Sequence, residues 1–182
     1  MRLSSSAFQD GAKIPKLYTG EGRNASPSME WSQAPSQAKS FVIIMEDPDA
    51  PKGPGKDHPF VHWLAYDIPA HVHFLPEGLA THEELFQPVH CKQGKNSFGN
   101  IGYDGPMPPE GHGIHDYLFT LHALDTELEL APGATKEELL QAMENHILHS
   151  TKLIGSYERG ASAGEGEDLE DEEDLEETRK AV

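Results

Sequence analysis

The stretch Gly102–Leu124, "GYDGPMPPEGHGIHDYLFTLHAL", decides the fold, because it joins a segment rich in glycine and proline to a long apolar strand. From His115 onward, alternate side chains share a face. One face would hold Tyr117, Phe119, Leu121 and Ala123, and the other would hold Leu118, Thr120, His122 and Leu124. Both faces are largely apolar, which predicts a strand at the centre of a sheet.

The loop that precedes this strand is suited to binding an anion. Prolines fix φ and glycines permit conformations that other residues avoid, so the loop can hold its N–H groups in a concave form. His115 and Tyr117 follow two residues apart, and therefore lie on one face of the strand. They could hydrogen-bond a phosphate-like oxygen. They could equally be packed side chains of the core, and the two interpretations stay open at this point.

Other segments predict further strands and one helix. Apolar, β-branched runs ended by proline or turn residues predict strands in "SFVIIMEDPD" from Ser40, "FVHWLAYDIP" from Phe60 and "HSTKLIGSYERG" from His149. In "ATKEELLQAMENHILH", Thr135 and Glu138 form a plausible capping box. Its apolar stripe would comprise Leu139, Leu140, Met143, Ile147 and Leu148. This pattern predicts a fold dominated by β-structure, an antiparallel β-sandwich with one or two peripheral helices.

Composition excludes several classes of function. The 182 residues carry a formal net charge of −17, which argues against a nucleic-acid partner because such binding needs Lys and Arg to neutralise phosphates. No apolar run approaches the roughly 20 residues of a membrane span, and the start "MRLSSSAFQDGAK" lacks the apolar core of a secretory signal. We therefore expect a cytoplasmic protein without integral membrane association. The single cysteine, Cys91, cannot form an intramolecular disulfide.

The end of the chain is a separate region in composition. Residues 164–182, "GEGEDLEDEEDLEETRKAV", hold ten acidic residues and few large aliphatic ones. Such a segment cannot bury enough apolar surface to offset its chain entropy. The sequence therefore predicts one folded domain over residues 1–160 and an acidic, disordered tail over residues 161–182, although a short acidic helix that docks on a basic partner is an alternative.

Metal and nucleophile motifs are incomplete. Asp47 and Asp49 fit the first positions of a calcium loop, but Pro51 and His58 stand where later ligands are expected. A zinc site could draw on Asp47, Asp49, His58, His62, His112 and His115, although no His-Glu-x-x-His motif supports it. The chain has neither a Gly-x-Ser-x-Gly elbow nor a phosphate-binding Gly-Lys-Ser/Thr motif. Gly99, Gly102 and Gly105 are expected to form tight turns.

Several segments in one order resemble a known family. "NASPSMEW" at Asn24, "DPDAP" at Asp47, "VHWL" at Val61, the Gly102 segment quoted above and "STKLIGSYER" at Ser150 resemble the phosphatidylethanolamine-binding protein family, in particular its bacterial and archaeal Raf kinase inhibitor-like branch. The resemblance spans roughly residues 1–160. It implies an antiparallel β-sandwich with a small preformed anion pocket at one end.

The resemblance also assigns residues to this pocket. Carried onto this chain, they are Asp47, His62, Gly105, Pro108, Pro109, His115 and Tyr117. The same resemblance makes the Ala50–Pro51 bond a candidate cis peptide and makes a homodimer reasonable. Donors to a phosphate oxygen would be His62, His115, Tyr117 and the backbone near Gly105 and Met107. A carboxylate repels an anion, so Asp47 is expected to orient a histidine instead.

Two classes of function remain open from the sequence. The first is a binding or regulatory protein, without cofactor or metal, that holds a phosphorylated small molecule or a phosphate-bearing partner. A kinase or a protease could be such a partner. The second is a phosphate-ester hydrolase that is metal-dependent or uses the His and Asp side chains. Because no positioned nucleophile or metal set is visible, the sequence favours binding over catalysis.

Overall fold

A computed structural model describes residues 1–52 and 59–160. Within them the chain forms ten strands, a short 3-10 helix and one α-helix. Their bounds are β1 Arg2–Ser4, β2 Ala12–Lys13, the 3-10 helix Lys16–Tyr18, β3 Met29–Ser32, β4 Ser40–Asp47, β5 Phe60–Pro69, β6 Phe74–Leu75, β7 Glu84–Leu85, β8 Cys91–Gln93, β9 His115–Leu124, α1 Lys136–Met143 and β10 Ile147–Tyr157. The four strands predicted from the sequence are confirmed.

The strands form two sheets that pack face to face. A three-stranded sheet has the order β1-β3-β6, and a seven-stranded sheet has the order β2-β10-β9-β4-β5-β8-β7. The rings of Trp31 on β3 and Phe41 on β4 meet across the interface at 5.3 Å. The predicted β-sandwich is confirmed, with one correction: β2 pairs with β10 in parallel, so the larger sheet is not wholly antiparallel.

Strand β9 lies inside the larger sheet, between β10 and β4. Its Tyr117, Phe119, Leu121 and Ala123 are all fully buried in the core between the two sheets. The predicted central strand is therefore confirmed. The strand also fixes the position of its first residues at one end of the sandwich, where the loop Gly102–Gly113 arrives.

Helix α1 covers part of the opposite face of the larger sheet. The predicted capping box is present, since Thr135 Oγ1 accepts from the Glu138 N–H and the Glu138 side chain accepts from the Thr135 N–H. Leu139 and Met143 are buried in a second apolar cluster. The longer predicted stripe is wrong, because Leu140 is exposed and the last two members, Ile147 and Leu148, begin β10. The helix ends after two turns, where a strand partner on β9 becomes available.

None of the helices in the described residues is both long and apolar enough to cross a membrane. The predicted acidic tail, residues 161–182, lies outside the described residues, as does His58.

His122 on the outer face of β9 makes folding sensitive to acid. Burial, and to a lesser degree the charge of Lys152, lower the pKa of His122 from 6.5 to about 4. In the unfolded chain His122 is therefore protonated below about pH 6.5, whereas in the folded protein it is protonated only below about pH 4. The free energy of unfolding should be unaffected by this group above pH 6.5, and should fall by about 1–2 kcal/mol between pH 7 and pH 5. Urea unfolding at the two pH values measures this fall.

A His122→Gln variant serves as the control for that measurement, because glutamine does not titrate and can still hydrogen-bond Ser150. The drop in unfolding free energy from pH 7 to pH 5 should be smaller in the variant than in the wild-type protein. An equal drop in both proteins would mean that His122 does not cause it.

Candidate functional site

Three strands bring polar side chains to one end of the larger sheet. In the registers of β4 with β5 and β9, Asp47 lies opposite Phe60 and Glu46 lies opposite Leu118. The end of β4 therefore meets the start of β5 and the start of β9. This pairing places Asp47 near residues that are far away in the sequence, and it explains why the site forms where the three strands meet.

Asp47 and His115 form a buried pair at the base of the site. His115 Nδ1 lies 2.8 Å from Asp47 Oδ2, and the two side chains are 1% and 4% exposed. Because a carboxylate only accepts hydrogen bonds, His115 Nδ1 carries the proton of this contact. The other ring nitrogen of His115, Nε2, lies 2.7 Å from Nδ1 of His112. Asp47 thus orients a ring whose second nitrogen faces an exposed histidine.

The loop after β4 holds Asp47 in place. Asp47 Oδ1 accepts a hydrogen bond from the Asp49 N–H at 2.8 Å, a short turn closed by its own side chain. The Asp49 carboxylate accepts from the Asp116 N–H at 2.9 Å, which ties the loop to β9. Asp49 therefore fixes the loop to the sheet, and Asp47 holds the His115 ring inside the site.

His62 on β5 is buried with its Nδ1 2.7 Å from the Asp104 carbonyl oxygen. A carbonyl only accepts, so Nδ1 carries the proton of this contact. Burial is the main cause that lowers the pKa of His62, although the Asp104 carbonyl and the charge of Asp47 oppose it. The ring is therefore neutral at pH 7, and its Nε2 is an acceptor.

Asp104 organises the loop that supports His62. Its Oδ1 accepts from Asn24 Nδ2 at 2.9 Å, and its Oδ2 accepts from Asn96 Nδ2 at 2.8 Å and from Asn100 Nδ2 at 2.9 Å. Three amides thus fix one carboxylate, while the Asp104 N–H donates to the His62 carbonyl. The carboxylate thus joins two segments of the chain, one at Asn24 and one at Asn96–Asn100, to the edge of the site.

Gly105 lets the same loop lie directly against the 3-10 helix segment. Its N–H donates to Asn24 Oδ1 at 2.7 Å. A Cβ on Gly105 would lie 2.1 Å from the Tyr18 carbonyl oxygen and 2.9 Å from Thr19 Cα. Gly99 and Gly102 have φ of 86° and 85°, as their predicted turn role requires. For Gly105 that role is wrong: close backbone packing, and not a positive φ, requires the glycine.

Tyr117 is the one buried hydroxyl of the site without a hydrogen-bond partner in the described residues. Its ring meets that of His62 edge to face at 5.1 Å and lies 6.5 Å from that of His115. Burial, and then the nearby charge of Asp47, raise the pKa of Tyr117 well above its usual range. The hydroxyl therefore stays protonated and is available to donate a hydrogen bond to a bound group.

Comparison with known proteins identifies the fold. The sequence profile of the family described as phosphatidylethanolamine-binding protein matches residues 4–158, which is most of the chain. The chain belongs to this family. A UPF0098 protein of Pyrococcus abyssi is 48% identical over 155 residues, which cover 85% of this chain and 84% of the relative.

Two solved structures of phosphatidylethanolamine-binding protein relatives share this architecture. One, described as a homologue from Chlamydia trachomatis, is 40% identical and gives a TM-score of 0.77 over 86% of this chain and 96% of that one. The other, YbcL of E. coli, described as a new member of the mammalian family, is 29% identical and gives a TM-score of 0.78 over 87% of this chain and 98% of its own. The predicted membership of a bacterial and archaeal branch is confirmed.

In this family member, some of the predicted site residues contact one another and others shape the adjoining loop. Contacts link Asp47 with His115 and His62 with Tyr117, and Gly105 follows the residue whose carbonyl holds His62. Pro108 is buried and Pro109 is exposed, and the Pro109 carbonyl accepts from the His112 N–H at 3.2 Å. The two prolines thus shape the loop that carries His112.

The peptide isomer implied by the resemblance is wrong in this family member. The cis peptide that the described residues contain is Gln87–Pro88, and Ala50–Pro51 is not cis. X-Pro bonds favour trans by only about 0.5–1 kcal/mol, so local packing decides the isomer. Here the turn is already closed by the hydrogen bond from Asp49 to Asp47.

The candidate metal ligands do not form a cluster in the described residues. Those residues contain no group of three or more His, Cys, Asp or Glu side chains placed to hold an ion. The zinc candidates His112, His115 and Asp47 do lie together, but as a chain of hydrogen bonds in which the central ring separates the other two.

Sequence reasoning missed two contributors to the site of this family member. Asp104 gave no signal of its own, because its role depends on amides that are 4, 8 and 80 residues away in the chain. His112 entered only as a zinc candidate. The glycines on either side of it, Gly111 and Gly113, have φ of 70° and 92°, and such a Gly-His-Gly segment could have indicated a specially shaped turn.

Proposed function

We propose that this family member binds a small phosphate-bearing anion without converting it. The pocket would be lined by Asp47, His62, Gly105, Pro108, Pro109, His115 and Tyr117. The observation that carries the proposal is the Tyr117 hydroxyl, which is buried without a hydrogen-bond partner in the described residues and whose ring contacts that of His62 at 5.1 Å. Buried polar groups are nearly always hydrogen-bonded, so this hydroxyl calls for a polar ligand from outside.

The charged groups of the site determine which side chain can supply a positive charge to the anion. Both oxygens of the Asp47 carboxylate already accept hydrogen bonds, so this charge is directed at the protein and away from a ligand. The guanidinium of Arg159 is engaged by Glu110, the residue after Pro109, at 2.9 Å and lies 3.9 Å from Glu21. An anion would therefore gain its favourable charge by bringing a proton to Nε2 of His62.

This requirement gives binding a definite pH dependence. Because burial lowers the pKa of His62, the empty protein holds this ring neutral at pH 7. An anion stabilises the imidazolium and raises that pKa, so binding takes up a proton. Affinity should therefore increase as the pH falls and weaken as the pH rises.

Binding of inorganic sulfate by titration calorimetry tests the proposal, because the charge of sulfate stays fixed over the neutral range. The dissociation constant should be about tenfold lower at pH 6 than at pH 8. His62→Ala should weaken binding at pH 6 by about tenfold or more and should abolish the pH dependence, since a charge-assisted hydrogen bond is lost. His71 is an exposed histidine two residues beyond the far end of β5, so His71→Ala is the matched control and should bind like the wild-type protein.

Absence of sulfate and phosphate binding at both pH values would refute the proposed pocket. Affinity that does not change with pH would refute the role of His62 as the charged donor. The same purified protein should show no turnover of phosphate esters and no stoichiometric zinc. Turnover that disappears in His62→Ala would favour a hydrolase instead.

The physiological anion can belong to a small molecule or to the phosphorylated side chain of a protein. A kinase or protease partner, a homodimer and the cytoplasmic location expected from the sequence belong to this proposal as well. Competition between sulfate and a phosphorylated peptide at the same site would separate the two kinds of ligand, and light scattering would give the oligomeric state.

A further inference from the structure

His112 contacts the ring nitrogen of His115 that an anion would need, Nε2. Its Nδ1 lies 2.7 Å from His115 Nε2, and the two rings meet at 4.9 Å with planes 61° apart. His112 is exposed, whereas His115 is 1% exposed. The contact therefore joins a surface ring to the interior of the site.

The hydrogen bonds of His115 are fully used in this arrangement. Each imidazole nitrogen makes one hydrogen bond in the plane of the ring, as donor or as acceptor. Nδ1 is bound to Asp47 and Nε2 is bound to His112. An anion can therefore receive a hydrogen bond from His115 only after His112 has withdrawn, whichever of the two rings donates in the empty protein.

The chain around His112 is built in a way that permits withdrawal. Gly111 and Gly113 flank it with φ of 70° and 92°, and a Cβ at either glycine would meet nothing within 4 Å. Its backbone N–H donates to Pro109 at 3.2 Å, a long hydrogen bond. Because a Cβ at either flanking glycine would meet nothing, the loop has room to move, and the ring gives up its hydrogen bond and its ring contact with His115 when it leaves.

We propose that His112 is an internal competitor of the anion. In the empty protein its ring binds His115 Nε2, and it leaves when the anion binds there. This inference rests on the proposed function, and it adds a side chain that sets the affinity of the pocket from outside it. Two histidines three residues apart in the chain would then have opposite effects on the same equilibrium.

Substitution separates these opposite effects. His112→Ala removes the competitor and should make sulfate bind more tightly, by about 3- to 10-fold, the equivalent of one ordinary hydrogen bond. His115→Ala removes the partner of the anion and should weaken binding by about tenfold. Both are measured by titration calorimetry at one pH, with His71→Ala as the control that leaves affinity unchanged.

Nitrogen-15 NMR of the imidazole rings gives a second test that needs no ligand. In the empty wild-type protein, His115 Nε2 and His112 Nδ1 should show the shifts of a shared hydrogen bond. His112→Ala should change the His115 Nε2 shift while leaving the Nδ1 contact with Asp47 intact. Saturating sulfate should abolish the signature of the contact between the two rings in the wild-type protein.

The outcomes distinguish this inference from the proposed function. Tighter binding by His112→Ala together with loss of the ring contact on adding sulfate supports the competitor. Equal or weaker binding by His112→Ala, in a protein that does bind sulfate, overturns the competitor and leaves the pocket in place. Failure of the wild-type protein and of His112→Ala alike to bind sulfate overturns both.

Discussion

Gly105→Ala is expected to destabilise the protein by about 4 kcal/mol. The added Cβ would lie 2.1 Å from the Tyr18 carbonyl oxygen and 3.0 Å from its carbonyl carbon. These are backbone atoms, so they cannot rotate away as the end of a flexible side chain could. The loop would have to move away from the 3-10 helix segment, and the Gly105 hydrogen bond to Asn24 would be lost.

Chemical unfolding of Gly105→Ala and Gly160→Ala gives the comparison. A Cβ at Gly160 would meet nothing within 4 Å, so that variant should lie within about 0.5 kcal/mol of the wild-type protein. The Gly105 variant should also lose sulfate affinity, because its loop carries the carbonyl that holds His62. Equal stability of the two variants would show that the loop moves aside without strain.

The long strands could be predicted because their sequences carry a complete local signal. Ser40–Asp47 is a continuous apolar run that ends at an Asp-Pro pair, and His115–Leu124 places aromatic and aliphatic side chains on alternating faces. The capping box at Thr135 is likewise a pattern within four residues. Features that are determined by neighbours in the chain were therefore accessible from the sequence.

The features that sequence reasoning missed depend on contacts between distant segments. The parallel pairing of β2 with β10 requires Gly155, because a Cβ there would lie 2.5 Å from Ile14 Cγ1. The helix stripe ended early because Ile147 found a strand partner in Leu124. In each case tertiary packing overrode a local preference.

The candidate site likewise combines features that could be predicted from the sequence with features that depend on distant contacts. The family resemblance supplied Asp47, His62, His115 and Tyr117, and the structure shows why they need one another: one ring is held by a carboxylate and the other by a backbone carbonyl. The contact between His115 and His112 could not be predicted, because it depends on the path of the loop between them. The residues proposed for the pocket could thus be named from the sequence, whereas the hydrogen bonds between them and His112 could not.

Asp104→Ala is expected to destabilise the protein by about 3 kcal/mol, because it breaks a network of hydrogen bonds to a charged group. The substitution leaves three amides without their shared acceptor, those of Asn24, Asn96 and Asn100. Asn96 is 4% exposed, so its amide cannot turn to water and bears most of the penalty, although it keeps a hydrogen bond to the Gly102 carbonyl. Asn24 and Asn100 are exposed and can be rehydrated. Chemical unfolding at neutral pH measures the loss.

Two variants calibrate the effect of Asp104→Ala. Asp104→Asn keeps one acceptor oxygen and should lose about half as much free energy. Asp125→Ala breaks a pair with His146 in which both side chains are 45% exposed, and should lose less than about 1 kcal/mol. If Asp104→Ala unfolds as easily as Asp125→Ala does, the three amides do not stabilise the loop.

Asp104 also links the stability of the loop to the chemistry of the site. Its negative charge is one of the causes that keep the pKa of His62 from falling further. Asp104→Asn should therefore lower the pKa of His62 and weaken sulfate binding, because protonating the ring then costs more. Asp125→Ala should change neither quantity. An NMR titration of His62 in both variants separates this electrostatic effect from a general loosening of the loop, since loosening would admit water and raise the pKa toward its ordinary value.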